Sequence, residues 1–164
     1  MTVTLRRVAF EERRPAFWDM LAAYLIEDAA LDDHGPDFDP LDFPNFEKYW
    51  IEDHRSPWWI LDGGVPAGLA LVGRYSWSGL PVDRGLIEFY VAPAHRRRGV
   101  GLKAARALFA MFPGQWELAT AKVSPRAQAF WRRTLSDAPG LSDHQVIDRA
   151  SDRLHRFISA PVQI

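Results

Sequence analysis

The stretch Leu86-Ile87-Glu88-Phe89-Tyr90-Val91 and the nearby Arg96-Arg97-Arg98-Gly99-Val100-Gly101 decide the fold of this chain. The first is an apolar run typical of a buried strand, and the apolar spacing in residues 102–112 predicts a helix after the second. Between them, the glycines allow close backbone approach and the helix start offers free N–H groups, so this order of elements builds a site for a diphosphate. The three arginines add positive charge at the same place.

Periodicity on either side of this turn predicts the remaining elements. Strands are indicated by alternating or β-forming segments, and helices by apolar residues three or four positions apart. The predicted strands are residues 2–8, 58–61, 69–72, 86–91, 116–123, 144–148 and 154–160, and the predicted helices begin near Pro15, Phe46, Leu102 and Ser124. The order is βααβββαβαββ, a mixed α/β layout with the glycine turn in its middle.

The turn resembles the signature of one family, the GNAT superfamily of acyl-CoA N-acyltransferases. That signature is Arg or Gln, two residues, Gly, one residue, then Gly or Ala after a strand, and Arg96-x-x-Gly99-x-Gly101 fits it at every fixed position. Val91-x-Pro93 ahead of the turn also fits. The resemblance implies a GNAT-type central sheet, mixed but mostly antiparallel, of about seven strands flanked by about four helices.

The resemblance also implies roles for individual residues. In that family a bulged strand pairs with the pantetheine arm of acetyl-CoA, the turn receives the pyrophosphate, and a strand N–H, here near Val91, holds the oxyanion. The residues implied to contact the cofactor are Val91, Arg96, Arg98, Gly99, Val100, Gly101, Leu102, Ser124 and Phe130. Since at most two neighbouring arginines can face the turn together, Arg97 is expected to face solvent.

A second element of the family lies in the last predicted helix. Members often read Asn-x-x-Ala-x-x-Phe-Tyr there, and this chain reads Ser124-x-x-Ala127-x-x-Phe130-Trp131. Ser in place of Asn keeps a hydrogen-bonding cap. Trp in place of Tyr removes the phenol that many members use to protonate the leaving thiolate, so the general acid is left unassigned.

Glu88 is the candidate for proton transfer. Strand alternation places Leu86, Glu88 and Tyr90 on one face of the central strand, so Glu88 is a carboxylate among apolar residues. Burial of this kind raises a carboxyl pKa and suits a general base, the role that the family resemblance also implies. The alternative is a structural ion pair with a neighbouring arginine, and the sequence leaves both open.

Two other interpretations use the same turn. Gly99-Val100-Gly101-Leu102-Lys103-Ala104 satisfies the dinucleotide-binding fingerprint, with Glu117 as the ribose partner. A Rossmann turn places its first glycine directly after the strand, whereas seven residues separate Val91 from Gly99, so this interpretation is disfavoured. The arginine triplet could also be a solvated charge run, but such a run at a helix N-terminus is unfavourable unless an anion binds there.

Composition excludes several classes of protein. The 164 residues, 48% of them hydrophobic, suit one domain that spans residues 1–164. A formal net charge of −1 argues against a general nucleic-acid or anionic-membrane binder. The absence of cysteine excludes disulfides, and no histidine spacing indicates a metal site. With neither a secretion signal nor a transmembrane segment in the pattern, we expect a cytoplasmic protein.

The sequence therefore predicts an N-acetyltransferase that transfers an acetyl group directly from acetyl-CoA to a primary amine of a small molecule or a protein. The alternative is a CoA-binding sensor or interaction domain without turnover, because Trp131 replaces the usual Tyr. Residues 27–47 contain eight carboxylates and no Lys or Arg, so they either attract a cationic acceptor or form a solvated loop. The oligomeric state is open, with a homodimer as one possible arrangement.

Overall fold

The computed structural model describes residues 2–161, which form one seven-stranded sheet in the order β1-β2-β3-β4-β5-β7-β6. The strands are β1 (Val3–Arg7), β2 (Ser56–Asp62), β3 (Val65–Gly73), β4 (Arg84–Val91), β5 (Gly114–Ala121), β6 (Leu141–Asp148) and β7 (Asp152–Ser159). All seven predicted strands are present, and most extend further than the apolar pattern alone indicates.

Three α-helices lie against the sheet: α1 (Trp18–Ala29), α2 (Val100–Met111) and α3 (Pro125–Leu135). The helix predicted near Phe46 is a short 3-10 helix, Phe46–Trp50. The predicted start of α1 at Pro15 is wrong, because an irregular helical segment, Arg13–Phe17, comes first and Arg14 has extended angles (φ −140°, ψ 139°). A residue before proline is disfavoured from the α region, which explains the delayed start.

The sheet is open at its centre because β4 and β5 pair over only two residues each. Strands β4 and β5 are parallel and pair only at Arg84 with Trp116 and Gly85 with Glu117, near the start of each strand. The neighbouring ladders, β3 with β4 and β5 with β7, are antiparallel and run along nearly the whole strands. Beyond Gly85, the described residues of β4 therefore have no partner in β5, and the two strands diverge.

Each face of the sheet carries its own core. On one face, α2 and α3 pack on the sheet through residues such as Phe109 and Trp131. On the other face, α1 and the 3-10 helix pack through residues such as Leu21 and Tyr49. The diverging ends of β4 and β5 lie between these cores, so both faces contribute side chains to the opening.

A β-bulge in β4 corrects the predicted alternation. Val72 pairs with Leu86 and Leu71 pairs with Glu88, which leaves Ile87 as the extra residue. Because the extra residue resets the alternation, Leu86 joins the core under α2 and α3 with Phe89, and Ile87 joins the α1 side with Tyr90. The expectation that Leu86 and Tyr90 share a face is therefore wrong.

None of the helices within residues 2–161 is both long enough and apolar enough to cross a bilayer. In the same range, no three His, Asp or Glu side chains come together in a way that could hold a metal ion.

Candidate active site

The divergence of β4 and β5 produces a cleft of about 1110 Å³ at the centre of the molecule. One wall is residues 86–91 of β4 and the other is residues 118–121 of β5. The phosphate turn, which we define as residues 96–99, lies at one side with the start of α2, and α1 and α3 complete the rim. An unpaired strand edge inside a cleft offers main-chain N–H and C=O groups to an extended ligand.

Gly68 in β3 shapes the end of β4 that lines the cleft. A Cβ at this position would overlap the carbonyl oxygen of Tyr90, so the two backbones meet more closely than any other residue permits. Just beyond, the N–H of Ala92 donates to the carbonyl oxygen of Ala67 at 2.8 Å. These contacts hold the last residues of β4, including Val91, beside the phosphate turn.

The start of α2 has the geometry of an anion site. Gly99 is the N-cap residue and adopts φ 77°, a left-handed conformation that glycine reaches without strain. The first intrahelical bond runs from the N–H of Lys103 to the carbonyl oxygen of Gly99 at 3.1 Å. The N–H groups of Val100, Gly101 and Leu102 precede that bond, so they remain available to a ligand. All three residues line the cleft.

Gly101 also controls how α3 approaches α2. A Cβ built on it would lie 3.0 and 3.2 Å from two ring carbons of Phe130 and 3.4 Å from a methyl carbon of Val91. Phe130 therefore contacts the first turn of α2, and its ring stacks on Phe89 with centroids 5.8 Å apart. Ser124 caps α3 by accepting from the N–H of Ala127 at 3.3 Å, and it lines the cleft together with Phe130.

The three arginines have different environments. Arg96 and Arg97 line the cleft, whereas Arg98 does not. Arg98 turns to the opposite side of the phosphate turn, where its Nη2 lies 3.3 Å from a carboxylate oxygen of Asp62. Arg97 is exposed, as expected, and it also lines the cleft, whereas Arg98 lies away from the predicted cofactor contacts. Arg97 has φ 64°, a left-handed backbone angle.

Arg96 is held by two partners in the cleft. Its Nε donates to the carbonyl oxygen of Val91 at 2.7 Å, and its Nη2 donates to Glu27 of α1 at 2.9 Å. Arg126 of α3 donates to the same carboxylate at 2.7 Å. Hydrogen bonds from Arg96, with a further contribution from Arg126, hold the pKa of Glu27 below its usual range. Glu27 therefore joins α1, the phosphate turn and α3 across the rim.

Glu88 lies in the floor of the cleft and faces α1. Burial raises its pKa to about 7, a hydrogen bond from the Tyr24 hydroxyl opposes that rise, and the negative charge of Asp28 adds to it. No Lys or Arg of the described chain forms an ion pair with Glu88 or shifts its pKa, so the structural ion pair considered above is absent there. A carboxylate with a pKa near neutrality suits proton transfer at physiological pH.

The sequence did not predict the contacts that Tyr24, Glu27 and Arg126 make in this site. Tyr24 fits the apolar pattern of α1, and its ring packs on Tyr90 with centroids 5.3 Å apart, but its hydroxyl reaches Glu88. Burial raises the pKa of Tyr24 well above its ordinary value, so the hydroxyl keeps its proton. Glu27 and Arg126 carry no local signal, because a pair separated by 99 positions is visible only once the chain is folded.

Trp131, at the position where family members often have tyrosine, is mainly a core residue. Its side chain is 7% exposed and packs on Phe89 and Phe109, with ring centroids 5.1 and 6.3 Å away. The indole therefore contributes packing to the cleft wall, and it offers no phenol for proton transfer.

Comparison with known proteins gives the same fold and a family match. The model of the acetyltransferase (GNAT) family matches residues 23–136. An acetyltransferase from Thermus thermophilus superposes with a TM-score of 0.66 at 15% identity, covering 95% of this chain and 96% of that one. AAC(6')-Ib in complex with ribostamycin and coenzyme A gives 0.65 at 14% identity, covering 97% and 94%.

A spermidine N-acetyltransferase chimera from Vibrio cholerae and hSSAT gives a TM-score of 0.58 at 14% identity, covering 97% of this chain and 96% of that one. At identities this low, the structural likeness shows a shared fold and no more. No protein of curated function matches the chain by sequence.

Proposed function

Because this chain belongs to the acetyltransferase (GNAT) family, we propose that it is an N-acetyltransferase that transfers the acetyl group of acetyl-CoA to a cationic small-molecule amine. The observation that carries the proposal is the cleft, which brings together Glu88, the free edge of β4 and the N-terminus of α2. These parts supply a proton acceptor, main-chain partners for an extended ligand and an anion site.

The residues of the cleft fit coenzyme A. A diphosphate matches the N–H groups of Val100, Gly101 and Leu102 together with the positive charges of Arg96 and Arg97. Gly101 has no Cβ, and Phe130 and Val91 pack where one would lie, so the start of α2 sits close against the apolar side of the cleft. The free edge of β4 offers its main-chain groups to the pantetheine arm, in the manner of an added strand. When bound, acetyl-CoA supplies the activated acetyl group as a thioester.

Glu88 is the proposed general base. An amine of pKa about 10.4 must lose a proton before it attacks, and at pH 7 this costs roughly 4.6 kcal/mol. With its pKa raised to about 7, Glu88 is close to half ionised at neutral pH and accepts the proton directly or through one water. The Tyr24 hydroxyl lies beside this carboxyl, and its hydrogen bond keeps the pKa of Glu88 from rising further.

Positioning contributes more than proton transfer. Alignment of two reactants supplies about 7–11 kcal/mol of a barrier, whereas a general base typically contributes 10²- to 10⁴-fold in rate. The walls of the cleft hold donor and acceptor together, and Phe130 and Trp131 keep that part of the cavity apolar. A thiol of pKa about 8.5 is a moderate leaving group, so a dedicated phenol is not essential.

The charge on the α1 side of the cleft favours a cationic acceptor. Glu27, Asp28 and Glu88 all line it on the side of α1, and Asp28 and Glu88 have no Lys or Arg partner among residues 2–161. A like-charged pair of this kind attracts amines at neutral pH. The aminoglycoside and spermidine enzymes that share the fold support the same class of acceptor.

A panel of amines tests the proposal. We expect purified protein and acetyl-CoA to release CoA with polyamines or aminoglycosides, and to release much less with neutral or acidic amines. Saturable binding of acetyl-CoA without turnover on any amine would support the alternative, a CoA-binding sensor, which the buried indole of Trp131 favours. Absence of acetyl-CoA binding at millimolar concentration would overturn both.

A further inference from the structure

The phosphate turn contains two left-handed residues in close succession. Arg97 has φ 64° and Gly99 has φ 77°. For glycine the angle is unstrained, but for arginine it is unfavourable and persists only where neighbouring contacts enforce it. The residues on either side of Arg97 show which contacts these are.

Arg96 and Arg98 are anchored on opposite sides of the turn. Arg96 is bound to the carbonyl oxygen of Val91 and to Glu27 on the cleft side. Arg98 lies against Asp62 on the far side, at 3.3 Å, and Nδ1 of His95 lies 3.1 Å from the same carboxylate oxygen. Because its two neighbours are held in opposite directions, the backbone of Arg97 turns into the left-handed region.

Asp62 is built into the fold as a fixed anchor. It is the last residue of β2, pairs with Val3 on one side and Val65 on the other, and its side chain is 2% exposed. The residue contributes nothing to the lining of the cleft. A buried carboxylate is retained at a cost unless it is paired and hydrogen-bonded, so its contacts with His95 and Arg98 stabilise one position of the turn.

We propose that Asp62 is a positioning residue for diphosphate binding: it holds His95 and Arg98, and through them aims the N–H groups of the turn at the cleft. This rests on the proposed use of acetyl-CoA. Asp62 also draws Arg98 away from the cofactor, so Arg97 supplies the charge there. The family signature alone would distinguish neither Asp62 nor Arg97.

The test compares two acetyl donors on Asp62→Asn. Acetyl-CoA contains the diphosphate, whereas S-acetylpantetheine has the same thioester and arm without it. We expect the Kd and KM for acetyl-CoA to rise about tenfold or more, since displaced N–H donors lose charge-assisted bonds. The kcat/KM for S-acetylpantetheine should change less than about twofold, because that donor does not reach the turn.

Glu117→Gln is the matched control. Glu117 is another fully buried carboxylate, bound by Arg156 at 2.5 Å and by the Ser78 hydroxyl at 2.6 Å, at the closed end of the β4–β5 pair. Its substitution should lower Tm without changing the ratio of kcat/KM for acetyl-CoA to kcat/KM for S-acetylpantetheine. A decrease in that ratio equal to the one in Asp62→Asn would show that any buried-charge loss has this effect, which would overturn the proposal.

Arg98→Gln keeps the test decisive if Asp62→Asn does not fold. The Arg98 side chain is 42% exposed, so its replacement should leave the fold intact while removing one arm of the anchor. We expect the same donor-selective loss at smaller size, and less than additive effects when both substitutions are combined. Unchanged acetyl-CoA binding in both variants would overturn the role of Asp62, whereas wild-type protein that binds neither donor would overturn the proposed function itself.

Discussion

The ring of Phe130 in α3 lies against Gly101 in α2, so close that a Cβ on Gly101 would be 3.0 Å from a ring carbon. This contact joins the helix that begins at the phosphate turn to the helix that covers the other side of the cleft. The glycine is therefore needed for the packing of α3 on α2.

Gly101→Ala should weaken both the fold and the binding of acetyl-CoA. The added methyl group would displace Phe130 or α2, and overpacking of this kind costs about 1–3 kcal/mol. We expect a lower free energy of unfolding in urea and a higher Kd for acetyl-CoA. The double variant Gly101→Ala with Phe130→Leu should recover part of the stability, because the smaller side chain makes room. Equal destabilisation in the single and double variants would contradict the contact as the cause.

Glu88→Gln should lower kcat and remove one limb of the pH–rate profile. A base must be ionised to act, and the pKa of Glu88 is raised to about 7, so wild-type activity should rise with pH through about 7 and then level off. We expect kcat to fall about 10²- to 10⁴-fold, with little change in the Kd for acetyl-CoA. Glu47→Gln, at an exposed carboxylate outside the cleft, is the control. An unchanged profile in Glu88→Gln would remove this residue from the proton transfer.

The same substitution should change the pH dependence of stability. Folding raises the pKa of Glu88 from 4.5 to about 7, so the folded state binds its proton more tightly, and this stabilisation is present below about pH 4.5 and lost as pH rises through about 7. The free energy of unfolding of Glu88→Gln minus that of wild type should therefore be larger at pH 8 than at pH 5, by up to about 3 kcal/mol. Urea unfolding of both proteins at the two pH values measures the difference, and no difference would contradict the buried position of the carboxyl.

His155 should make the fold sensitive to acid. Burial lowers its pKa from 6.5 to about 4, with further contributions from the charges of His144 and Arg153. A lowered pKa means that stability is present above about pH 6.5 and lost as pH falls toward 4, by up to about 3 kcal/mol. His155→Gln should flatten this dependence in urea unfolding between pH 7 and pH 4.5. The exposed His54, replaced in the same way, should leave the dependence as in wild type.

Arg97→Ala should weaken acetyl-CoA binding about tenfold and reduce its dependence on salt. Arg97 lines the cleft beside the helix N-terminus, where a guanidinium and main-chain N–H groups act on the same anion. S-acetylpantetheine should be used as well by the variant as by wild type. Arg74→Ala, which removes an exposed arginine outside the cleft lining, should change neither donor. Equal effects of Arg97→Ala and Arg74→Ala would show that only net charge matters.

Much of the fold was predictable because its signals are local. The strand and helix order, the cap formed by Ser124 and the position of the phosphate turn follow from residues that lie within a few positions of one another. The family resemblance and the mixed, mostly antiparallel sheet, which rest on the same local signals, are confirmed. Glycine spacing reports backbone geometry directly, since only glycine reaches the left-handed region at no cost.

The environments of the charged residues were less predictable. One extra residue at Ile87 moved Leu86 to the opposite face, because a bulge resets the two-residue period of a strand. Arg98 pairs with Asp62 outside the cleft, and Arg97 lines the cleft instead. The sequence contains no pattern that pairs positions 62 and 98.

From the sequence alone came the order of elements, the glycine turn before α2 and the acidic candidate on the central strand, because helix and strand periods and glycine geometry are short-range properties. Only the tertiary structure decided that Glu88 meets Tyr24, that Glu27 joins Arg96 to Arg126, and that Asp62 holds the turn from behind. Those contacts depend on which distant segments the sheet brings together, and burial there sets the pKa on which the proposed chemistry depends.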